Sequence, residues 1–587
     1  MTALDADVLI CGGGLAGLTL ALQLRQEFPD DRITVIERSR RPLPIACHKV
    51  GESSVELGSQ YLERLGLGEY LRAEHIIKMG LRFFPGGGHL PLTERAEIGA
   101  SQEPIVRSYQ LDRGKLEEDL RGMIEARGVT LIEGAKVKSI ELTAGDEPNA
   151  VTFECDGNAI TLRSRWLVDA SGRSALIKRR LKLARGARHL GHAGWFRVEG
   201  RVELADLVPD RADPWHQRPM AAERWRSTNH LMGRGYWVWL IPLSSGRTSV
   251  GVVTHGEVHG IERVHSLEAS MDFIREFEPF LAARLEHAQV LDFRCQKDYS
   301  HGVARSWSTD HWGIVGEAGA FVDPLYSPGT DFIAYANSFT TELIRVDRAG
   351  EDLVRRTGEL NAQYRALVAG SHAVFRNAAP LYGHARGMAT KIYWDNFVYW
   401  NFACQYFLQG MYRVTGPLYG EVSTTGARYV ELSGYMQAAL RAWAELAPQD
   451  RPVPGFVGLP KFPSMLVDSH LDLRLTMSHT ETLEYMRMRL VQAEAIFVEL
   501  MARMLMELGP ELGAELLTQA EVSRWNLEFD PSRAAVEVLP GLDRRHSLSL
   551  VARDVERNLG RATLHPQWQQ ALALLPTAVQ ASPAAAS

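Results

Sequence analysis

The sequence has 587 residues and a formal net charge of −6. A chain of this length exceeds what one hydrophobic core organises, so two or three packed units are expected. Hydrophobic residues at 45% and charged residues at 23% are ordinary for a globular protein, and the negative charge argues against nucleic acid as the main partner.

No apolar run reaches the length of about 18 residues that a membrane-spanning helix needs, so no membrane span is predicted. Five cysteines lie far apart, with neither a CxxC pair nor metal-ligand spacing. We therefore expect reduced thiols and no metal site. A predicted strand begins almost at the first residue and leaves no room for a signal peptide, which predicts a cytoplasmic protein.

A strand, a glycine-rich turn and a helix open the chain. A short apolar run is followed directly by Gly12-x-Gly14-x-x-Gly17 and by a predicted helix over 18–28. Gly12 permits a sharp turn, Gly14 lets backbone amides approach a pyrophosphate, and Gly17 lets the helix pack on its strand. Glu37 ends a second strand, about 20 residues on, where an acid that binds an adenosine ribose is expected. This order of elements predicts a dinucleotide site.

A second helix N-terminus follows the loop Gly51-Glu52-Ser53. Ser53 and Glu56 have capping-box spacing ahead of an apolar helical pattern. The loop therefore suits a phosphate or the edge of a flavin ring. The same residues also fit a simple helix cap, and the sequence leaves both interpretations open.

A strand-like run over 76–84 carries one lysine, Lys78. From the residues alone, a solvated sheet face is the favoured place for such a lysine. Arg113 then leads into a predicted helix over 114–127, and an antiparallel excursion follows. An apolar strand that ends in Asp169 returns the chain to the nucleotide-binding sheet. A basic cluster over 178–188 is either a solvated helix face or a docking patch for an acidic partner.

Two tryptophans, Trp237 and Trp239, lie two positions apart in an apolar run. On a strand both indoles would face the same side. They are either core packing or the wall of an aromatic cavity, and the spacing does not decide. Segments over 191–300 alternate in the manner of strands of a second, mostly antiparallel sheet.

Small residues and a Pro/Gly-rich loop lie between a predicted strand at 312–315 and a helix over 333–344. Backbone donors at this helix N-terminus would lie near the first glycine motif if both strands share a sheet. The remainder is mainly helical, with an aromatic-dense stretch over 392–407 that must be buried or line a pocket. A helix over 481–508 is predicted to stop at Gly509-Pro510.

These motifs together resemble the flavin-dependent halogenases, which are tryptophan-halogenase-like enzymes with an aromatic monooxygenase-like fold. Trp237-Val-Trp239-Leu-Ile241-Pro242 matches the family's Trp-x-Trp-x-Ile-Pro pattern. The glycine motif, the loop that starts at Val50, and the segment 316–329 also match. The resemblance covers roughly residues 5–340.

The resemblance implies an α/β, FAD-binding Rossmann-like fold with an inserted, mostly antiparallel sheet and a helical C-terminal region. Residues 1–190 and 301–345 would form the FAD-binding domain, and residues 191–300 the substrate sheet. Residues 346–575 would be a helical region that covers the substrate. The Ala-, Ser- and Pro-rich tail over 576–587 is predicted to be disordered.

The resemblance also implies roles for individual residues. Lys78 falls where the family keeps its catalytic lysine. The expected FAD contacts are Gly12, Gly14, Ala16, Gly17, Glu37, Gly51, Glu52, Ser53, Arg113, Asp169, Gly316, Glu317, Pro324 and Gly329. The expected halide donors are Ser327, Gly329 and Thr330. The residues expected in the substrate pocket or tunnel are Trp237, Trp239, Pro242 and Tyr326.

In the chemistry that the resemblance implies, reduced FAD, dioxygen and chloride or bromide give hypohalous acid. This oxidant reaches Lys78 and halogenates an electron-rich aromatic ring in secondary metabolite biosynthesis. No second glycine-rich nucleotide motif is present, so a separate flavin reductase is expected to supply reduced FAD.

Two positions depart from the family pattern. Tyr326 stands where members that act on tryptophan carry Glu, which favours a phenol, pyrrole or resorcinol-type ring, free or tethered to a carrier protein. Pro328 stands where Ser or Thr is usual, and proline has no N–H for a halide. If halide binding is lost, the alternative is an FAD-dependent monooxygenase, either a hydroxylase or an epoxidase. A third hypothesis is a non-catalytic flavoprotein that docks a carrier protein.

Overall fold

The computed structural model describes residues 4–44, 51–187, 189–447, 455–521, 546–563 and 565–567. Val50, Arg188 and the predicted tail 576–587 lie outside these described residues. Among the described helices, none combines the length and the apolar character that crossing a membrane requires.

The strands fall mainly into two large sheets. In chain order they are β1 (Ala6–Cys11), β2 (Ile33–Glu37), β3 (Ile76–Ile77), β4 (Leu81–Phe84), β5 (Glu97–Gly99), β6 (Tyr109–Gln110), β7 (Thr130–Glu133), β8 (Lys136–Glu141), β9 (Asn149–Cys155), β10 (Asn158–Asp169), β11 (Ala184–Gly186), β12 (Gly191–Val198), β13 (Thr228–Gly233), β14 (Tyr236–Pro242), β15 (Thr248–His255), β16 (Arg294–Gln296), β17 (His301–Val303), β18 (Trp307–Ser308), β19 (Trp312–Ile314) and β20 (Phe456–Gly458).

The helices are concentrated in the second half of the chain. They are α1 (Leu15–Glu27), α2 (Glu56–Leu62), α3 (Gly68–Glu74), α4 (Arg113–Ala126), α5 (Leu176–Arg180), α6 (Leu267–Phe277), α7 (Pro279–Leu285), α8 (Gly329–Arg348), α9 (Leu353–Phe375), α10 (Ala385–Val398), α11 (Gln405–Leu408), α12 (Gly416–Leu446), α13 (Met465–Leu471), α14 (His479–Gln519) and α15 (His546–Leu559).

The first sheet has the order β18-β19-β10-β1-β2-β7, with β9 and β8 added beyond β10. Strand β1 runs parallel to both β10 and β2, and β10 runs parallel to β19. Val8, Leu9 and Ile10 are fully buried, as expected for a central parallel strand that is covered on both faces. The carboxyl ends of β1, β2, β10 and β19 therefore meet at one edge, which is where ligands bind in such sheets.

The second sheet has the order β16-β12-β15-β14-β13-β4-β5-β20. Its central pairs are antiparallel, as the alternating pattern predicts, whereas β4 joins β13 and β20 joins β5 in parallel. The sheet thus extends beyond the predicted insertion and takes strands from both earlier and later chain segments. In β14, Trp237 and Trp239 face one hydrophobic core, and Val238 faces the other, which contains α6 and α7.

The helical region differs from its prediction at one point. Helix α14 begins with a capping box between Ser478 and Glu481 and continues past Gly509-Pro510 to Gln519. Gly509 leaves the helical conformation with φ of 80°, and Pro510 follows it. The predicted stop is therefore a kink, because proline is tolerated in the first turn of the helix that resumes after the glycine.

Candidate active site

The first glycine turn allows close packing that no other residue permits. Gly12 has φ of 122°, and a Cβ there would lie 2.3 Å from the carbonyl oxygen of Ala170. A Cβ on Gly17 would lie 1.9 Å from the carbonyl oxygen of Gly12. Gly14 is the N-cap of α1. These positions leave the first amides of α1 free of intrahelical partners, in the geometry that binds a pyrophosphate.

Glu37 lies beside this turn, at the carboxyl end of β2. Its Oε2 accepts the N–H of Gly13 at 2.7 Å, and its Oε1 accepts the N–H and the hydroxyl of Ser39 at 2.8 and 2.6 Å. Burial opposes ionisation, but these hydrogen bonds outweigh it and lower the pKa of Glu37. The carboxylate is thus fixed and charged where an acid that binds ribose is expected.

The segment after β19 packs against the first turn of α1, as the sequence predicts if the two strands share a sheet. A Cβ on Gly316 would lie 2.7 Å from the Cβ of Ala16, so the backbone passes directly over the helix. The Nδ2 of Asn337 in α8 donates to the carbonyl of Ala16 at 3.0 Å. Glu317, in a short 3₁₀ segment, is partly exposed, and its Oε1 is 4.0 Å from the Nε of Arg173.

Asp169 and Glu52 have carboxylates that the protein itself occupies. Asp169 accepts the N–H groups of Ser171 and Ile177 and shapes the loop after β10. Glu52 is paired with Arg197 of β12, with Oε1 to Nη2 at 2.7 Å. A buried carboxylate requires such partners. The structure therefore gives these two side chains a role in shaping the loop and joining the sheets. The predicted part of both residues in FAD binding stays a prediction.

The loop at 51–53 is held in place by its own neighbours. Gly51 has φ of 93°, and its carbonyl accepts Nη1 of Arg113 at 3.3 Å. The hydroxyl of Ser53 lies 2.9 Å from that of Thr228. The capping box predicted between Ser53 and Glu56 is wrong, because Val55 is the N-cap of α2 and no side chain caps it.

A tight turn precedes α8 and is anchored by Asp323. Its Oδ1 accepts the N–H of Leu325 at 2.9 Å, and its Oδ2 accepts the hydroxyl of Tyr299 at 2.6 Å and lies 3.0 Å from Nε2 of His189. A 3₁₀ segment from Pro324 to Tyr326 follows. Ser327 then adopts a left-handed conformation with φ of 58° and donates its N–H to the carbonyl of Pro324 at 2.9 Å.

This turn changes the predicted set of halide donors. The N–H of Ser327 is used within the turn, so only its hydroxyl remains. Pro328 is the N-cap of α8 and has no N–H. The amides of Gly329 and Thr330 lie in the first turn of α8, where helix geometry provides no intrahelical acceptor. A Cβ added to Gly329 would meet nothing within 4 Å. The two amides lie at the positive end of the dipole of the 20-residue helix α8, where an anion such as a halide is favoured.

Lys78 occupies a break between strands. The predicted strand over 76–84 is divided into β3 and β4, which pair with different partners, β6 and β13. The Lys78 side chain is fully buried, and its Nζ donates to the carbonyl oxygen of Ser54 at 2.8 Å. The solvated sheet face favoured from the residues alone is therefore wrong, because the break turns the side chain inward.

Burial lowers the pKa of Lys78 to about 7, although the nearby carboxylates of Glu56 and Asp331 oppose the shift. Glu56 is partly buried, and its Oε1 lies 3.3 Å from Nε2 of His470. Burial disfavours the charged form of Glu56, but the partnership with His470 outweighs it, so the pKa of Glu56 is lowered. The amine thus lies near two acids, and its pKa allows it to take or release a proton near neutral pH.

Asp331, in the first turn of α8, was not singled out from the sequence. Its Oδ1 accepts the N–H of Gly58 at 2.8 Å, and its Oδ2 accepts the hydroxyl of Tyr399 at 2.8 Å. Burial raises the pKa of Asp331 to about 7, against the effect of these hydrogen bonds. The sequence feature that could have indicated this residue is an acid in the first turn of a helix, three positions after Pro328.

A cavity of about 740 Å³ opens beside these groups. Its wall combines the loop around Lys78, the start of α8, and helices α9, α10 and α12. Most of the wall is apolar or aromatic, whereas the carboxylates of Glu56, Glu103, Asp331, Asp395 and Glu431 also border it. Drug-sized ligands occupy pockets of about 300–1,000 Å³, so this cavity has the size of a small-molecule site.

Tyr326 is part of this wall and belongs to a buried polar network. Its hydroxyl donates to Oδ2 of Asp395 at 2.9 Å. The same carboxylate pairs with Nζ of Lys391 at 2.9 Å and accepts Nε2 of Gln437 at 2.7 Å. Asp395 is therefore fully partnered, which fixes the Tyr326 ring at the cavity wall.

The two tryptophans do not line this cavity. Their ring centroids are 5.7 Å apart, and Nε1 of Trp239 donates to Ser249 at 3.1 Å. Trp237 lies behind His230, whose ring stacks on Phe83 at 4.7 Å, and it is Phe83 that reaches the cavity. Neither indole is part of the cavity wall, and the His230–Phe83 layer lies between Trp237 and the cavity. Their predicted place in a tunnel between flavin and substrate stays a prediction. Pro242 ends β14 and is also absent from the cavity wall.

The basic cluster is only partly solvated. Lys178 is buried and donates to the carbonyl of Gly319 at 3.0 Å, whereas Arg179 and Arg180 of the same helix are exposed. One lysine of the cluster thus supports the segment after β19, and it is not available as a docking residue.

Comparison with known proteins relates this chain to FAD-binding domains and to flavin-dependent halogenases. The family of FAD binding domains matches residues 5–269. The flavin-dependent halogenase chlA of Dictyostelium discoideum is 28% identical over 71% of this chain and 73% of its own length. A chlorinase of Pseudomonas fluorescens that acts on 1H-pyrrole-2-carbonyl-[peptidyl-carrier protein] is 27% identical over 55% of this chain and 72% of its own length.

The fold has solved counterparts. The crystal structure of halogenase PltM superposes with a TM-score of 0.59 over 84% of this chain and 96% of that chain, at 14% identity. The flavin-dependent brominase Bmp2 superposes with a TM-score of 0.50 over 63% of this chain and 85% of that chain, at 22% identity. The predicted FAD-binding fold and the resemblance to flavin-dependent halogenases are confirmed.

Proposed function

We propose that this chain, which is similar to flavin-dependent halogenases, is itself one: it uses reduced FAD, dioxygen and chloride or bromide to halogenate an electron-rich aromatic ring. One observation carries the proposal. The amine of Lys78 is fully buried in the wall of a cavity of about 740 Å³, and the N-terminus of α8 borders the same cavity.

The residues around the glycine turn fit FAD. A Cβ at Gly12 or Gly17 would collide with neighbouring backbone, so this tight turn is built around glycine, which supports a pyrophosphate cradle there. The amides that open α1 would bind the pyrophosphate, and Glu37 would bind the ribose. Gly316, Glu317 and Pro324 would border the ribityl chain and the flavin ring. When bound in its reduced form, FAD supplies, with dioxygen, the oxidising power that converts halide into hypohalous acid.

The halide would bind at the start of α8. The amides of Gly329 and Thr330 supply two donors, the hydroxyl of Ser327 can supply a third, and the helix dipole favours an anion there. Pro328 removes one donor from this set. The comparisons favour halogenation over the alternative of oxygen insertion without halide.

Lys78 would act on hypohalous acid inside the cavity. As an ammonium it donates a hydrogen bond to the oxygen of the oxidant and makes that oxygen a better leaving group. As a free amine it accepts a proton. Because burial lowers the pKa of Lys78 to about 7, both forms are populated near neutral pH.

The substrate proposed is a phenol, pyrrole or resorcinol-type ring. Tyr326 presents a phenol ring whose hydroxyl is bonded to Asp395, so no carboxylate stands at that position to polarise an indole. Delivery on a carrier protein is supported by the pyrrole chlorinase relative. A separate flavin reductase would supply reduced FAD in the cytoplasm, where we expect the protein.

The test supplies the purified protein with reduced FAD, oxygen and bromide, together with a phenol or pyrrole probe, and detects bromination by mass spectrometry. Bromination by the wild type and its loss in Lys78→Ala are expected. Monochlorodimedone, which traps free hypohalous acid, should still report oxidant formation in Lys78→Ala. An oxygenated product that forms equally without halide would refute the proposal and establish the monooxygenase.

A further inference from the structure

The carboxylates that border the cavity differ in what they are bonded to. Glu103 forms an ion pair with Arg226, and Glu431 forms one with Arg428. Asp395 is occupied by Lys391, Gln437 and Tyr326. Each of these acids is therefore already paired with a cation.

Asp331 differs from these acids because its hydrogen-bond partners are neutral. The Gly58 amide and the Tyr399 hydroxyl each donate to one oxygen at 2.8 Å, and they fix the carboxyl plane. One further lone pair on each oxygen remains. Glu56, which also borders the cavity, has His470 within 3.3 Å of its Oε1. Asp331 is therefore the acid on this wall best suited to accept a proton from a ligand.

We infer that the substrate is a ring with a free hydroxyl next to the carbon that is halogenated, and that Asp331 is the catalytic residue that accepts the hydroxyl proton. The inference rests on the proposed halogenase function and names the substrate class of the same site. Lys78 and Asp331 border one cavity and interact electrostatically, so a phenol can place its oxygen at Asp331 and its ortho carbon near the Lys78 amine.

The proton and electron balance closes on these two side chains. The phenolic proton moves to the Asp331 carboxylate, and the electron-rich ortho carbon forms a bond to the halogen of hypohalous acid. The halogen–oxygen bond breaks, and the oxygen leaves as water after it takes a proton from the Lys78 ammonium. The ring proton then passes to the free Lys78 amine, and Asp331 returns its proton to the oxygen of the product. The sum is phenol plus hypohalous acid giving halophenol plus water.

The electrostatic surroundings of Asp331 are compatible with this exchange. Glu56 in α2 raises the pKa of Asp331, Lys78 in the loop before β4 lowers it, and Tyr399 after α10 donates to it. Cys404 and Tyr335 also interact electrostatically with Asp331. Burial dominates and raises the pKa of Asp331 to about 7, so the carboxylate can both accept and release a proton near neutral pH.

The experiment compares two electron-rich probes with the same ring and oxygen pattern: phloroglucinol, whose oxygens carry ionisable protons, and 1,3,5-trimethoxybenzene, whose oxygens carry methyl groups. With reduced FAD, oxygen and bromide, Asp331→Asn should lower kcat/KM for phloroglucinol by about 10²- to 10⁴-fold, the usual contribution of a general base. The rate for trimethoxybenzene, which has no hydroxyl proton, should change by less than about threefold, given that no such catalysis is lost. In the wild type, kcat/KM for phloroglucinol should pass through a maximum near pH 7, because Asp331 must be ionised and Lys78 protonated. In Asp331→Asn the rise on the acid side should vanish, and the fall on the alkaline side should remain.

Asp395→Asn is the matched control, because it changes a second aspartate of the same wall. Its carboxylate is already occupied, so it should affect the two probes equally. Equal losses for both probes in Asp331→Asn, or no loss for either, would overturn the inference while leaving the halogenase proposal intact. Absence of bromide-dependent oxidant in the wild type, measured with monochlorodimedone, would instead refute the proposed function.

Discussion

The Nζ of Lys78 lies 2.8 Å from the carbonyl oxygen of Ser54, immediately before α2. This hydrogen bond joins the break between β3 and β4 to the loop that follows Gly51-Glu52-Ser53. One of the three donor positions of the amine is used in this way. The segment that is expected to border the flavin therefore also fixes the direction of the amine.

Replacement of Lys78 should make the folded protein more stable at neutral pH. Burial lowers the pKa of Lys78 from 10.5 to about 7, so in this range the unfolded chain binds a proton that the folded protein does not. Buried Lys78 therefore destabilises the folded protein below its unfolded pKa of 10.5. This penalty is absent above that pH, grows as the pH falls, and reaches its full size below about pH 7. Lys78→Met should raise the free energy of unfolding at pH 7 by an amount on the order of 3 kcal/mol.

Urea denaturation at pH 7 and pH 9.5 would measure this effect. The difference between Lys78→Met and the wild type should shrink at the higher pH. Lys115→Met, which removes a half-exposed lysine, should differ little from the wild type at either pH. A Lys78→Met protein that is less stable than the wild type at pH 7 would contradict the burial argument.

Gly17→Ala should abolish FAD binding. The added Cβ would lie 1.9 Å from the carbonyl oxygen of Gly12, so α1 must move away from the turn that would cradle the pyrophosphate. The Kd for FAD, measured by quenching of flavin fluorescence, should rise at least about tenfold, which corresponds to the loss of roughly one charge-assisted hydrogen bond. Gly122→Ala is the control, because open space surrounds that exposed position in α4, and its Kd should be unchanged.

Pro328→Ser should strengthen halide binding. The substitution restores an N–H and adds a hydroxyl at the N-cap of α8, where serine is a preferred residue. We expect the KM for bromide to fall about five- to tenfold, in line with one hydrogen bond to a charged group. Steady-state bromination at varied bromide concentration would measure it. Pro328→Ala restores only the N–H, so the difference between the two variants isolates the hydroxyl. An unchanged KM in both would exclude Pro328 from the halide site.

Tyr326→Phe should destabilise the protein by about 1–3 kcal/mol, because it removes a donor from the buried Asp395 carboxylate. Thermal unfolding followed by circular dichroism would show a lowered Tm. Tyr364→Phe is the matched control: its hydroxyl is buried and makes no hydrogen bond within the described part of the chain. That variant should have a Tm equal to or above the wild type. Equal losses in the two variants would show that the Asp395 bond contributes nothing specific.

The nucleotide-binding end of the fold was predictable from sequence because its determinants are local. Gly12 and Gly17 are required by contacts between neighbouring segments, and such contacts leave a fixed spacing. The alternation that places Trp237 and Trp239 on one face of β14 is equally local. What lies in front of those indoles depends on Phe83 of another strand, and nothing in the spacing of the tryptophans reports it.

The surroundings of Lys78 could not be predicted in the same way. Its inward direction depends on a break in the strand and on a carbonyl 24 positions earlier in the chain. Asp331 escaped notice because a carboxylate at the start of a helix is ordinary, and its importance comes from Gly58 and Tyr399, which belong to distant segments. The use of Glu52 as the partner of Arg197 is likewise a property of the packed sheets.

The strand β20 comes from beyond residue 447 and completes the far edge of the second sheet by pairing with β5. A truncated gene product that ends before this strand would leave a row of backbone amides and carbonyls without partners, which invites intermolecular strand addition. Such fragments make β5 the edge strand in place of the three-residue β20, and they should aggregate more readily than the full chain when expressed.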